Sequence, residues 1–275
     1  MRKLAQLLVD SQIWVALMAG LLVWLTAAEW KINDPILAMA LGGITWSAYS
    51  YIRLNSLHED HVKVRYRVYK NVYRLILISV FPLSIFVLAI MLPSWWWILL
   101  LLLPPAIIVL LYPVVLGVIS FRQIPRIKSL MIALTWVWLS VTIPAIVYVK
   151  PWDMHLVSLH IQRFLLISLW LLPFDIRDMK FDPESMQTLP QRMGLAQIKR
   201  WSGWVGFGLQ ISVLLSAWLG WLPVPLGIAW VVGLEYLHQL TICSRPNDDA
   251  LKTGFWIEAM PLIVFVTYLI TSIYF

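Results

Sequence analysis

Apolar stretches of about twenty residues follow one another along the whole chain. They lie at roughly 11–30, 35–53, 72–92, 95–119, 130–149, 155–173, 202–221, 224–243 and 255–274. A helix needs about 20 residues at 1.5 Å each to cross the hydrocarbon of a bilayer, and these segments meet that length. Inside the hydrocarbon the backbone finds no water, so its polar groups must be satisfied along the helix itself. The expected fold class is therefore an all-α integral membrane protein, a bundle of about nine transmembrane helices. Residues 1–275 would form a single transmembrane domain. Hydrophobic residues make up 61% of the chain and charged residues 13%, with a mean hydropathy of +0.80, which excludes a water-soluble domain. The 17 tryptophans suit rings anchored at the lipid interface, among them the run 95–97. The single cysteine, Cys243, excludes an internal disulfide and a thiolate metal cluster.

The net charge of +7 has a topological explanation. With the N-terminus inside, all of the 21 lysines and arginines except Lys31, Lys150 and Arg163 fall on the inner side. Lys31 and Lys150 are outside, and Arg163 lies within a span. Positive residues concentrate on the cytoplasmic side of membrane proteins, so no nucleic-acid partner is needed to explain the basic balance. The first segment follows Arg2 and Lys3 without a small-residue cleavage site, and a retained helix is expected there. Localisation is read as multi-pass in a bacterial or archaeal inner or cell membrane, among membrane lipid. No protein partner is inferable.

The long inner segment at 174–201 holds Asp175, Asp178 and Asp182 within eight residues. Continued as a helix at 100° per residue, the three carboxylates would lie within about 60° of one another. Carboxylates so placed repel one another unless a cation sits between them, and a hard divalent ion suits that position. The alternative is a solvated acidic helix end balanced by Arg177 and Lys180. The segment continues into Thr188-Leu-Pro190 and Gly194. Asp175, Arg177, Asp178, Asp182, Thr188, Leu189, Pro190 and Gly194 resemble, in order and spacing, the second aspartate-rich region of the UbiA-type membrane prenyltransferases. Residues 111–113, 121–128 and 133–136 are similar to the same family between its fourth and fifth helices.

The resemblance implies Mg²⁺-dependent transfer of an isoprenyl group from its diphosphate to a lipophilic, often aromatic, acceptor at the cytoplasmic face. It implies Asp175, Asp178 and Asp182 as metal ligands, with Asp178 catalytic. Arg122, Lys128 and Arg177 would bind diphosphate oxygens. The family's first motif, N-D-x-x-D, is not matched. Tyr51, Arg53 and Asn55 stand where acids are expected, and Glu59 and Asp60 come too late. Arg53 and Asn55 are then candidate diphosphate contacts, with a fixed arginine charge in place of one metal ion.

Three intramembrane polar residues remain: Arg163, Glu235 and His238. Such groups usually face a cavity or a partner. Glu235 could lie in the acceptor pocket, or pair with Arg163 as a structural bridge between helices. Two other functions stay open beside the transferase. One is a catalytically inactive relative that binds isoprenoid lipid, and the other is a membrane transporter.

Overall fold

The structure, a computed structural model, describes residues 2–55, 67–92, 96–112, 115–116, 119–120 and 127–275. The first helices are α1 (Arg2–Asp10), α2 (Ile13–Glu29), α3 (Pro35–Asn55), α4 (Lys70–Met91) and α5 (Trp96–Leu111). A two-residue antiparallel pairing, Val115 with Ser120 and Leu116 with Ile119, precedes α6 (Ile127–Val137). A π-helical stretch, Trp138–Thr142, joins α6 to α7 (Ile143–Val147). Then come α8 (Met154–Asp178), the short α9 (Leu189–Met193), α10 (Leu195–Trp218) and α11 (Val224–Ile242). A second π-helix, Lys252–Ile257, leads to α12 (Met260–Thr271).

Among the described residues the apolar segments coincide largely with helices, the segment at 95–119 only over Trp96–Leu111, and they are not equally fit to span. Among the described residues, 70–91, 128–147, 154–178 and 252–271 are long and apolar enough to cross a membrane. The pair α1–α2 passes the same test together, although the two helices meet at 75°. That bend sits at Ser11 and Gln12, where Gln12 has φ of 63°. Three contacts fix it. Gln12 Nε2 donates to the Val9 carbonyl at 2.8 Å, Trp46 Nε1 donates to the Ser11 carbonyl at 2.8 Å, and the Tyr73 hydroxyl donates to the Asp10 carbonyl. The outward faces are strongly apolar. On α4, Leu75, Ile78, Phe81, Leu83, Phe86 and Ile90 are all exposed, as on α10 are Trp204, Phe207, Ile211 and Trp218. Several apolar helices with such faces are compatible with a multi-pass membrane protein.

Close packing of the first helices depends on small residues. A Cβ at Gly20 would lie 3.0 Å from the Ala38 carbonyl oxygen, and one at Gly42 would lie 3.0 Å from that of Ala16. Helices in lipid gain little from hydrophobic attraction, so this backbone-to-backbone approach is what holds α2 to α3. The main core lies where α2, α8, α10, α11 and α12 meet, around Leu22, Leu25, Ile167, Leu172, Ile198, Leu226 and Val264. A second cluster around Val23, Leu37, Leu41, Leu88 and Ile143 joins α2 and α3 to α4 and α7.

Candidate functional site

α8 starts on Asp153, whose carboxylate accepts from the Leu156 amide at 2.9 Å. It runs on through Pro173 to Asp178, about five residues past the apolar segment. Asp175 and Asp178 therefore stand three apart on one helix face. Asp182 does not continue that face, because the helix has ended. The amides of Phe181 and Asp182 both close on the Asp178 carbonyl at 2.8 Å, and this turn brings Asp182 back beside the other two. Gln191 secures the turn, donating to the Asp182 carbonyl at 3.0 Å and accepting from the Thr188 amide at 2.9 Å. Gly194, at φ 76° and ψ 160°, then opens α10. The T-L-P and glycine segment thus has a structural task, folding the loop onto the aspartates.

The occupant of the aspartate cluster is a lysine. The Lys128 ammonium lies 2.8 Å from Asp182 Oδ2, 3.7 Å from Asp175 Oδ1 and 3.9 Å from Asp178 Oδ2. Ser129 donates to Asp175 Oδ2 at 2.7 Å. Arg177 grips both oxygens of Asp178, at 2.6 and 3.1 Å, and its Nη1 donates to Thr253 Oγ1 at 2.6 Å. Among the described residues, no group of three His, Cys, Asp or Glu side chains is disposed to hold a metal ion.

These charges line one end of a cavity of about 1000 Å³. Gln12, Tyr49, Arg53, Tyr112, Asn247, Asp248 and Glu258 add to its polar lining. Its remaining wall is apolar, built from Val15, Met18, Ile132, Trp136, Ile167 and Trp170, with Trp136 and Trp170 edge to face at 5.6 Å. The cavity's lining is amphipathic, combining charged and apolar side chains. Three cations (Arg53, Lys128, Arg177) face five carboxylates (Asp175, Asp178, Asp182, Asp248, Glu258).

Glu258 reaches this cavity through the second π-helix. Here three successive carbonyls are capped by aromatic side chains from other helices. Trp14 Nε1 donates to Phe255 O at 2.9 Å, Tyr236 to Trp256 O at 2.6 Å, and Trp170 Nε1 to Ile257 O at 2.7 Å.

Of the residues singled out from sequence, Asp175, Asp178, Asp182, Lys128, Arg177 and Arg53 converge on the cavity. Asn55 does not line it. Its side-chain amide donates to Tyr51 O of its own helix at 2.9 Å and is exposed. Arg122 lies outside the described residues, as do Glu59 and Asp60. The expected pair between Arg163 and Glu235 is not formed. Arg163 pairs with Glu29 at 3.1 Å, while Glu235 is exposed and accepts from Gln239 at 2.6 Å. His238 packs its ring on the α10 backbone at Gly203. Sequence reasoning passed over Tyr49, Ser129, Asp248 and Glu258. For Glu258 the signal was present, a lone carboxylate inside the last apolar segment.

Comparison with protein families, with curated proteins and with solved structures finds no match for this chain.

Proposed function

We propose that the chain is a multi-pass membrane protein of prenyltransferase type, with about nine spans and its N-terminus inside. It takes an isoprenyl diphosphate at the inner face and passes the isoprenyl group to a lipophilic acceptor. The observation that carries this reading is the cavity's mixed lining of charged and apolar side chains. A headgroup of high charge needs the arginine and lysine donors, and an isoprenoid tail needs the Trp136–Trp170 wall. The inward orientation rests on the placement of the lysines and arginines.

In this reading the C–O bond of the isoprenyl diphosphate breaks and its electron pair leaves on the diphosphate oxygen. Arg53, Arg177 and Lys128 meet that developing charge, the two arginines as forks and the lysine as a point charge. The apolar wall keeps water from the allylic cation until an acceptor carbon attacks it. The acceptor then loses a proton to a carboxylate, and Asp178 and Glu258 both line the cavity. Glu235, on the outward face, takes no part.

The Mg²⁺ that the resemblance implies does not fit the residues as they stand. Asp182 and Ser129-bound Asp175 are engaged by Lys128, and Asp178 is engaged by Arg177. No step is therefore assigned to a protein-bound metal. The same engagement favours a second reading, an isoprenoid-lipid-binding protein without turnover.

Release of inorganic pyrophosphate from geranyl or farnesyl diphosphate, measured with a quinone-precursor phenol as acceptor, separates the two. Turnover that Asp178→Asn abolishes supports the transferase. Tight binding without release, with any acceptor, supports the carrier.

A further inference from the structure

We infer that Lys128 is the resident cation of the aspartate cluster and that it keeps divalent metal out of the ligand-free protein. The inference rests on the proposed function only for the expectation that a metal would otherwise sit there.

The geometry is that of an ammonium site. Mg²⁺ draws its oxygen ligands to about 2.1 Å and asks for six of them in octahedral array. Around the Lys128 Nζ the nearest oxygens of the three aspartates stand at 2.8, 3.7 and 3.9 Å. The carboxylate oxygens turned elsewhere have donors too. Asp175 Oδ2 takes the Ser129 hydroxyl, and Asp178 is held by both arms of Arg177. A metal entering the cluster would have to displace a lysine that is itself buried, and strip these bonds.

The position of Lys128 in its own helix supports the same conclusion. It is the second residue of α6, where the helix dipole is positive and a cation is locally disfavoured. Among the described residues its ion-pair partners are the three aspartates. Three carboxylates supply the compensation that the helix end withholds. In turn, the lysine removes the mutual repulsion that would otherwise drive the aspartates apart or draw in a cation.

Replacing Lys128 by methionine keeps length and volume while deleting the charge. The three carboxylates, left without their shared ammonium, are then expected to turn toward a divalent ion. The probe is Mn²⁺, followed by the loss of its free six-line electron paramagnetic resonance signal on mixing with the purified full chain in detergent. The wild type is expected to leave Mn²⁺ free. Lys128→Met is expected to take up one Mn²⁺ per chain, and Lys128→Met with Asp175→Asn to bind it about tenfold or more weakly. Stoichiometric Mn²⁺ uptake by the wild type, weakened by Asp175→Asn, would overturn the inference. A folded Lys128→Met chain that takes up none would do so as well. Lys128→Gln serves as the second variant if the methionine chain does not fold. Because no diphosphate is present, the outcome is independent of whether the chain turns over a prenyl substrate.

Discussion

Arg163 reaches from the middle of α8 to Glu29 in the last turn of α2 and donates to its carboxylate at 3.1 Å, with both side chains buried. The same Nη2 also donates to Thr26 at 3.0 Å, and the guanidinium lies over the Trp230 ring at 4.6 Å. This is a structural brace between two helices and α11, about 18 Å along α8 from the aspartates by helix rise. Breaking one side of a buried pair leaves an uncompensated charge. Arg163→Met or Glu29→Gln alone is expected to cost roughly 3–5 kcal/mol, and the double substitution much less than the sum. Thermal unfolding of the four chains in detergent checks this; additive losses would contradict it.

The brace also leaves donors over. Among the described residues Arg163 Nε and Nη1 have no hydrogen-bond partner, and Arg163 and Trp230 line a cavity of about 20 Å³ with Glu29 and Gln162. A space of that size accommodates about one water. A high-resolution experimental map is expected to show a single ordered water on Arg163.

Two glycines of the same region make opposite predictions. Gly194 has φ of 76° and ψ of 160°, a conformation closed to side chains, yet a Cβ there would touch nothing within 4 Å. Gly194→Ala is expected to destabilise by about 1–3 kcal/mol through the backbone alone. Gly208 lies inside α10 with equally open space around it, and Gly208→Ala is expected to stabilise by about 0.5–1 kcal/mol. Equal effects of the two in thermal unfolding would contradict the backbone role assigned to Gly194 at the start of α10.

The helical segments and the aspartate trio were legible in the sequence, because hydropathy and spacing encode both. Partners were not. Arg163 and Glu235 look like natural partners across two spans, but hydropathy does not say how α11 is rotated, and Glu235 faces outward. Glu29 ends its segment and reads as a terminus, although it is buried. Lys128 reads as a diphosphate contact, since its place among the carboxylates depends on how α6 packs on α8. Neither π-helix announces itself, so Glu258 had no visible route to the cavity. Arg53 facing the aspartates across one cavity, without Asn55, could be learned only from the fold.

Arg177 couples the cluster to the second π-helix through Thr253 at 2.6 Å. Arg177→Lys keeps the charge but loses the fork that grips Asp178. Combined with Thr253→Val, the two losses are expected to be non-additive by about 0.5–3 kcal/mol, measured as a double-mutant cycle in thermal unfolding. Strict additivity would mean that the contact transmits nothing.

Asp248, in the loop before the second π-helix, titrates with a sign that can be stated. Burial tends to raise its carboxyl, but the hydrogen bond from Lys252 at 2.8 Å and that from the Arg245 amide outweigh it, and the carboxyl is held below its ordinary value. A lowered carboxyl contributes stability that is present above about pH 4 and is lost as the pH falls through the folded value. Asp248→Asn is therefore expected to flatten the acid side of the stability profile and leave neutral pH less stable than wild type. An unchanged acid limb would contradict this.

Photolabelling tests the occupant of the cavity most directly. An isoprenyl diphosphate carrying a diazirine at its tail end is irradiated with the purified chain, and the labelled peptides are mapped by mass spectrometry. The account predicts label on the apolar wall, at Ile132, Trp136, Ile167 and Trp170, suppressed by excess unlabelled diphosphate and reduced by Arg53→Met. Label spread over the exposed faces of α4 and α10, insensitive to competitor and to Arg53, would contradict it.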